Sequence, residues 1–143
     1  MESKRPPSTV RGVMSKPVVK INIESSVREA AKLMSRKNVG SIVVTHEGRP
    51  VGIVTERDMV KRVVAKGLEA SKARIGEIMS QPLNIIPVDL PIIDAIRKMQ
   101  KEKIRRLLIM EEKKLLGIVT QRDLLRALAF HVIISFRPLL KTS

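Results

Sequence analysis

Two stretches of the chain set the same polar residues in the same frame. Gly52-Ile53-Val54-Thr55-Glu56-Arg57-Asp58 returns as Gly117-Ile118-Val119-Thr120-Gln121-Arg122-Asp123. In each, a threonine and then an aspartate follow an apolar run and open a stretch of helical spacing. A threonine at a helix start offers its hydroxyl to the free N–H groups of the first turn, and the same hydroxyl and N–H groups are as readily available to a phosphate. An aspartate in that turn stands at the positive end of the helix dipole. Thr55 and Thr120 therefore read as caps or as ligand contacts, two compatible roles, and Asp58 and Asp123 as first-turn charges. Arg57 and Arg122, just before the aspartates, are placed either to reach a phosphate or to face solvent.

Other chemistries find no support. The chain has no cysteine, which excludes disulfides, thiolate catalysis and Cys-ligated zinc. His46 and His131 lie far apart without ligand spacing, so no metal site is expected. No serine sits in a nucleophile elbow and no glycine loop has the Walker form, so no catalytic residues are assigned and an enzyme is not expected. Glu24 and Asp89 read as a turn residue and a helix cap. The 28 Lys and Arg against 14 Asp and Glu leave a charge of +14, which attracts anions without choosing among nucleotide, nucleic acid and acidic protein. Nucleic acid is the secondary reading, because stacking on single strands wants aromatic rings and only Phe130 and Phe136 are present. Charge interrupts every apolar stretch well before the length of a membrane span, and Met1–Thr9 lacks the character of a secretion signal. A cytoplasmic protein is expected.

The elements that position these residues are themselves repeated. Met14-Ser15-Lys16-Pro17 recurs as Met79-Ser80-Gln81-Pro82, at the same offset of 65 residues that separates Gly52 from Gly117. Ile21 and Ile86, Ala30 and Ala95, and Met34 and Met99 keep that register, so the repeat spans the whole unit. Ser26-Val27-Arg28-Glu29 has the form of a capping box, and Val27, Ala30, Ala31 and Met34 follow at helical spacing, predicting a helix from about residue 27 to 38. Ser41–Thr45 and Val51–Val54 predict a hairpin about a turn at His46–Arg49. A second helix is predicted from Thr55 to Gly67 on an apolar face of Met59, Val60, Val63 and Val64. In the second copy Asp89 is the expected cap, Pro91 falls in the first turn, and strands are expected at 106–110 and 115–119. Met34 and Met99 read as core. The expected organisation is a tail at 1–9, repeats at 10–66 and 75–130, a linker at 67–74, and an apolar and basic extension at 131–143 in which Pro138 ends any helix. That extension reads as cover for an edge of the module or as a dimer contact.

The doubled Gly-h-h-Thr-x-x-Asp motif, where h is apolar, together with Met-x-x-Pro opening each unit, resembles the CBS (cystathionine-beta-synthase) domain. The resemblance covers nearly the whole chain. It implies an α/β (α+β) fold of two tandem β-α-β-β-α repeats packed sheet to sheet about a pseudo-two-fold axis, a Bateman module of the stand-alone type. Such modules bind AMP, ADP, ATP or S-adenosylmethionine in clefts between the repeats, require no other cofactor, pair into dimers and regulate a partner protein. On that reading the chain is a non-catalytic sensor of energy or metabolite state, an expected homodimer, with its regulated protein unnamed. The alternative is a basic structural or nucleic-acid-associated adaptor with vestigial clefts.

The resemblance also implies roles for residues. Asp58 and Asp123 would accept the two ribose hydroxyls. Thr55, Thr120, Arg57 and Arg122 would serve phosphate, with Arg105 and Arg106 matching a basic pair that contacts phosphate in some members of the family. The same positions in the first copy are Gly40 and Ser41, so the Asp58 cleft, served by Arg105 and Arg106, would favour phosphate charge over the Asp123 cleft. Val18, Val19 and Ile53, with Leu83 and Ile118, are candidates to hold the base, though each reads singly as core.

Overall fold

The computed structural model describes the backbone of residues 7–140 and the side chains of residues 7–136. The chain is a mixed α and β protein with two three-stranded sheets. Its residues divide into two compact units, Val18–Leu83 and, in the other, Asn84 onward together with the described residues up to Pro17.

In the unit Val18–Leu83, β1 (Lys20–Asn22) runs parallel to β2 (Ser41–His46), and β2 pairs antiparallel with β3 (Arg49–Thr55). The turn joining β2 and β3 takes positive φ at Glu47 (51°) and Gly48 (77°), the backbone twist that a tight hairpin needs. Helix α1 (Val27–Lys37) begins as its sequence predicts: Glu29 N–H donates to Ser26 Oγ, and Ser26 N–H donates to Glu29 Oε2, each at 3.1 Å. It ends where Asn38 turns left-handed at φ 53°. Val27, Ala30 and Met34 on its inner face are buried with Ile42, Val44 and Val54 of the sheet.

The chain after β3 departs from the predicted helix. One α-helical turn, α2 (Glu56–Asp58), passes directly into a π-helical run, Met59–Val64. Of the four apolar residues assigned to one face, Val63 is buried, whereas Val60 and Val64 are 60% and 74% exposed. The segment is wound with i to i+5 bonding, and its four apolar residues do not share one buried face. Gly67 then closes the segment with φ 67°.

The second unit repeats the pattern with β4 (Ile85–Ile86) parallel to β5 (Arg106–Glu111), β5 antiparallel to β6 (Lys114–Thr120), and helices α3 (Ile92–Glu102) and α4 (Gln121–Leu140). Met99 is buried in its core with Leu107, Ile109, Val119 and Leu124. Asp89 does not cap α3. Pro91 occupies the cap position, where the first copy has Ser26, so no side chain is available to accept from the first turn. The Ile92 N–H donates instead to the Ser8 carbonyl at 3.0 Å, as Val27 N–H donates to Ala73 O at 2.9 Å in the first unit. Helix α4 runs through the segment expected as a separate extension and past Pro138. A proline so close to a helix's end removes one backbone hydrogen bond and does not have to stop the helix there.

Of the segment expected as a tail, residues 1–6 lie outside the described part. Pro7–Thr9 is tied down, with Ser8 bonded to Ile92, Thr9 bridged to Pro91 and the His131 ring Nε2 2.7 Å from the Pro7 carbonyl.

The segments that open the sequence repeats lie on the hairpin of the preceding unit, or, for the first, on that of the last. Ser80 N–H donates to Ile53 O at 2.8 Å and Ile53 N–H to Ser80 O at 3.2 Å, adding an edge to β3. Ser15 and Ile118 form the same pair at 2.8 and 3.1 Å on β6. The adjoining methionines lie over the motif glycines: a Cβ on Gly52 would stand 2.5 Å from Met79 Sδ, and one on Gly117 2.7 Å from Met14 Sδ. Only a residue without a side chain lets the methionine approach so closely. The doubled Met-x-x-Pro and Gly-h-h-Thr strings are therefore partners in space.

Candidate functional site

Each hairpin ends in a small polar cluster built by its own register. In the first unit Thr55, the last residue of β3, pairs with Ser41, the first of β2, and Glu56 N–H donates to Gly40 O at 3.0 Å. Thr55 and Asp58 then cap one another: Asp58 N–H donates to Thr55 Oγ1 at 3.2 Å, and Thr55 N–H donates to Asp58 Oδ2 at 2.9 Å. In the second unit Thr120 pairs with Arg106, Gln121 N–H donates to Arg105 O at 2.8 Å, and Thr120 and Asp123 cap one another at 3.2 and 2.9 Å. The sheet end thus carries a threonine, an aspartate and the start of the central strand in both copies, with Gly40 and Ser41 in one and Arg105 and Arg106 in the other.

The mutual cap leaves capacity for a ligand. Each threonine oxygen is used as an acceptor, its O–H makes no hydrogen bond among the described residues, and each carboxylate commits Oδ2 to a backbone N–H. A carboxylate held in this way has its orientation fixed before anything binds, which removes the entropy of ordering it from the binding step.

The arginines divide. Arg57 and Arg122 are exposed, as is Arg105, whereas Arg106 is half-buried. The Arg106 Nε is buried without a hydrogen-bond partner among the described residues. A buried cationic N–H left unpaired is unfavourable by more than a neutral one, so it stands ready for an acceptor. The sequence singled out Arg106 for its position, and its unpaired donor became visible only from the fold.

The apolar candidates are all half-buried. Val19 packs against the core of the first unit and accepts from Val43 N–H at 3.0 Å. Ile53 and Ile118 occupy the middle of their hairpins, each bonded on its outer edge to a serine. Val18 and Leu83 are the two ends of the first unit.

One contributor escaped the sequence reading. Arg62 Nη1 donates to Ile78 O at 2.9 Å and to Met79 O at 3.1 Å, and its Nε lies 3.8 Å from Asp58 Oδ1. Ser80 Oγ donates to the same carboxylate oxygen at 3.4 Å. Helical spacing of Asp58 and Arg62 suggested at most an i, i+4 pair; the carbonyls that fix the guanidinium come from a segment distant in sequence. Among the described residues no group of three or more His, Asp or Glu could hold a metal ion, and no helix is long and apolar enough to cross a membrane.

Comparison with known proteins places this arrangement. The chain is 39% identical over 100 residues to the uncharacterized protein MK0525 of Methanopyrus kandleri, a match covering 68% of this chain, and spans 51% of that relative's length. It is 34% identical over 117 residues to the CBS domain-containing protein YhcV of Bacillus subtilis, covering 82% of this chain and 83% of YhcV. Among solved structures, the CBS domain pair of protein MJ0100, in complex with 5′-methylthioadenosine and S-adenosyl-L-methionine, superposes with a TM-score of 0.76 at 29% identity, covering 87% of this chain and 98% of that one. The CBS domain family matches residues 10–65 and 75–130. The chain belongs to the CBS domain family and carries two copies of the domain.

Proposed function

We propose that the protein is a non-catalytic regulatory module that binds an adenosyl ligand, either an adenine nucleotide (AMP, ADP or ATP) or S-adenosylmethionine, and passes its occupancy to a partner protein. Asp58 and Asp123 accept ribose hydroxyls. The hydroxyls of Thr55 and Thr120 and the guanidinium groups of Arg105 and Arg106 donate to phosphate or to its carboxylate counterpart. Val18, Val19, Ile53, Leu83 and Ile118 supply apolar surface for the base. The observation that carries this reading is the Arg106 Nε, a buried and unpaired donor at the sheet end where Thr120 and Asp123 are already oriented. The complex of MJ0100 with two adenosyl compounds supports the ligand class.

A ligand that binds only the folded chain stabilises it by about 2.7 kcal/mol at a hundredfold excess over Kd. Thermal melts with AMP, ADP, ATP and S-adenosylmethionine therefore read the proposal directly. At least one of the four raises Tm progressively with concentration, with a matching heat in calorimetry. A melting curve indifferent to all four at millimolar concentration would overturn it.

A further inference from the structure

The two carboxylates share a motif without sharing a neighbour. Asp58 and Asp123 each take the N–H of their threonine on Oδ2 at 2.9 Å, but the other oxygen differs. Asp58 Oδ1 receives the Ser80 hydroxyl at 3.4 Å and faces Arg62 Nε at 3.8 Å. The guanidinium donates from its Nη1 to the Ile78 and Met79 carbonyls, at 2.9 and 3.1 Å. Asp58 is only 13% exposed in its side chain, so water screens the attraction weakly on that side, even though Arg62 itself is 44% exposed.

At the position 65 residues beyond Arg62 stands Ala127. Among the described residues no hydrogen bond or ion pair engages Asp123 Oδ1. Ala127 is buried, and with Asp123, Pro7, Val13, Arg126 and Phe130 it lines a cavity of about 310 Å³. A methyl group thus leaves open, beside Asp123, space that a long side chain from position 127 would reach into.

We propose that Arg62 is a built-in counter-ion that makes the two carboxylates unequal, so that Asp123 is the open acceptor and Asp58 the guarded one. The inference rests on the adenosyl-binding reading, and it favours the Asp123 carboxylate where the sequence assigned the preference for phosphate charge to the Asp58 cleft. Two ribose hydroxyls offered to Asp58 compete with a guanidinium and a serine already there, whereas Asp123 receives them with one oxygen unclaimed. A hydrogen bond to a charged group is strong enough that losing one to competition separates the sites by about tenfold or more.

Calorimetric titration of the full chain with AMP and, separately, S-adenosylmethionine tests this. The wild type shows one tight site and one at least about tenfold weaker. Asp123→Asn removes the tight site. Arg62→Gln removes the charge and the guanidinium's bonds to the Ile78 and Met79 carbonyls, and it brings the weak site to within about threefold of the tight one; Arg62→Ala does the same, with circular dichroism melts showing that both variants are folded. Two equal sites in the wild type, a tight site that survives Asp123→Asn, or a weak site unmoved in both folded Arg62 variants would overturn the inference while leaving adenosyl binding intact. No heat with either ligand in any variant would overturn both.

Discussion

Replacing Gly117 with alanine tests whether the motif glycine exists to seat Met14. The added Cβ would lie 2.7 Å from Met14 Sδ, 2.9 Å from Cγ and 3.1 Å from Cβ, where ordinary contact begins at 3.4 Å. The sulfur could swing away, but the close approach of the methionine's own Cβ means that its backbone must also give. That backbone leads into Ser15, whose N–H and carbonyl are both bonded to Ile118. Overpacking of this kind destabilises by about 1–3 kcal/mol, which lowers Tm by roughly 3–10 °C for a chain of this size. Met14→Ala alone loses packing, about 2 kcal/mol for a partly buried methionine. In the double variant the sulfur and Cγ that clash are gone, so urea unfolding should give a total smaller than the sum of the singles by about 1 kcal/mol or more. Additivity within about 0.5 kcal/mol would refute the reasoning, since the glycine would then be serving something other than Met14. Gly52→Ala with Met79→Ala should behave alike in the other unit, where the corresponding sulfur distance is 2.5 Å.

Two further expectations use single residues. Arg106→Ala should weaken binding of AMP, ADP and ATP by about tenfold while changing adenosine affinity little, as calorimetry reads it, because the lost donor serves phosphate alone; equal losses for adenosine and ATP would remove Arg106 from the phosphate role. Val63→Ala should destabilise the chain by about 1–3 kcal/mol in urea, whereas Val64→Ala should stay within about 0.5 kcal/mol; equal costs would contradict the burial of Val63 and the exposure of Val64.

Much of this was legible before any coordinates. The register of 65 residues fixed the number of units, and Ser26-x-x-Glu29 announced a cap that forms with both of its bonds. Thr55 and Asp58, with Thr120 and Asp123, were readable as helix-start residues because the same local geometry serves capping and binding. What stayed hidden depends on partners remote in sequence. Asp89 looked like a cap only while the carbonyl of Ser8 was unknown as the partner of Ile92. Val60 and Val64 matched an α-helical face, and nothing in their side chains signals a π-helical turn. Arg62 is one arginine among many until the Ile78 and Met79 carbonyls are seen to hold it.

The repeat boundaries carry the sharpest difference between sequence and fold. By sequence similarity, Ile75 and Ile78 belong to the second repeat and Val10 to the first, yet Ile75 and Ile78 are buried in the core of Val18–Leu83 and Val10 in the core of the other unit. A repeat pattern identifies equivalent residues; it is silent on which copy's hairpin a connecting segment lies against. Hydrogen exchange in the intact chain separates the two accounts. Ile78 is 2% exposed and Val10 fully buried, so truncating Ile78 to alanine removes about 2–5 kcal/mol, and Val10 somewhat less, from the unit that each one fills. That loss is large beside a total stability of about 5–15 kcal/mol, and it should appear as local loss of protection before global unfolding. Ile78→Ala should speed exchange in β2 and β3, residues 41–55, more than in β5 and β6. Val10→Ala should do the reverse, deprotecting residues 106–120. If Ile78→Ala instead opened β5 and β6 first, the connecting segments would belong energetically to the repeats that they begin, and the exchange of segments would be a matter of geometry without consequence for stability.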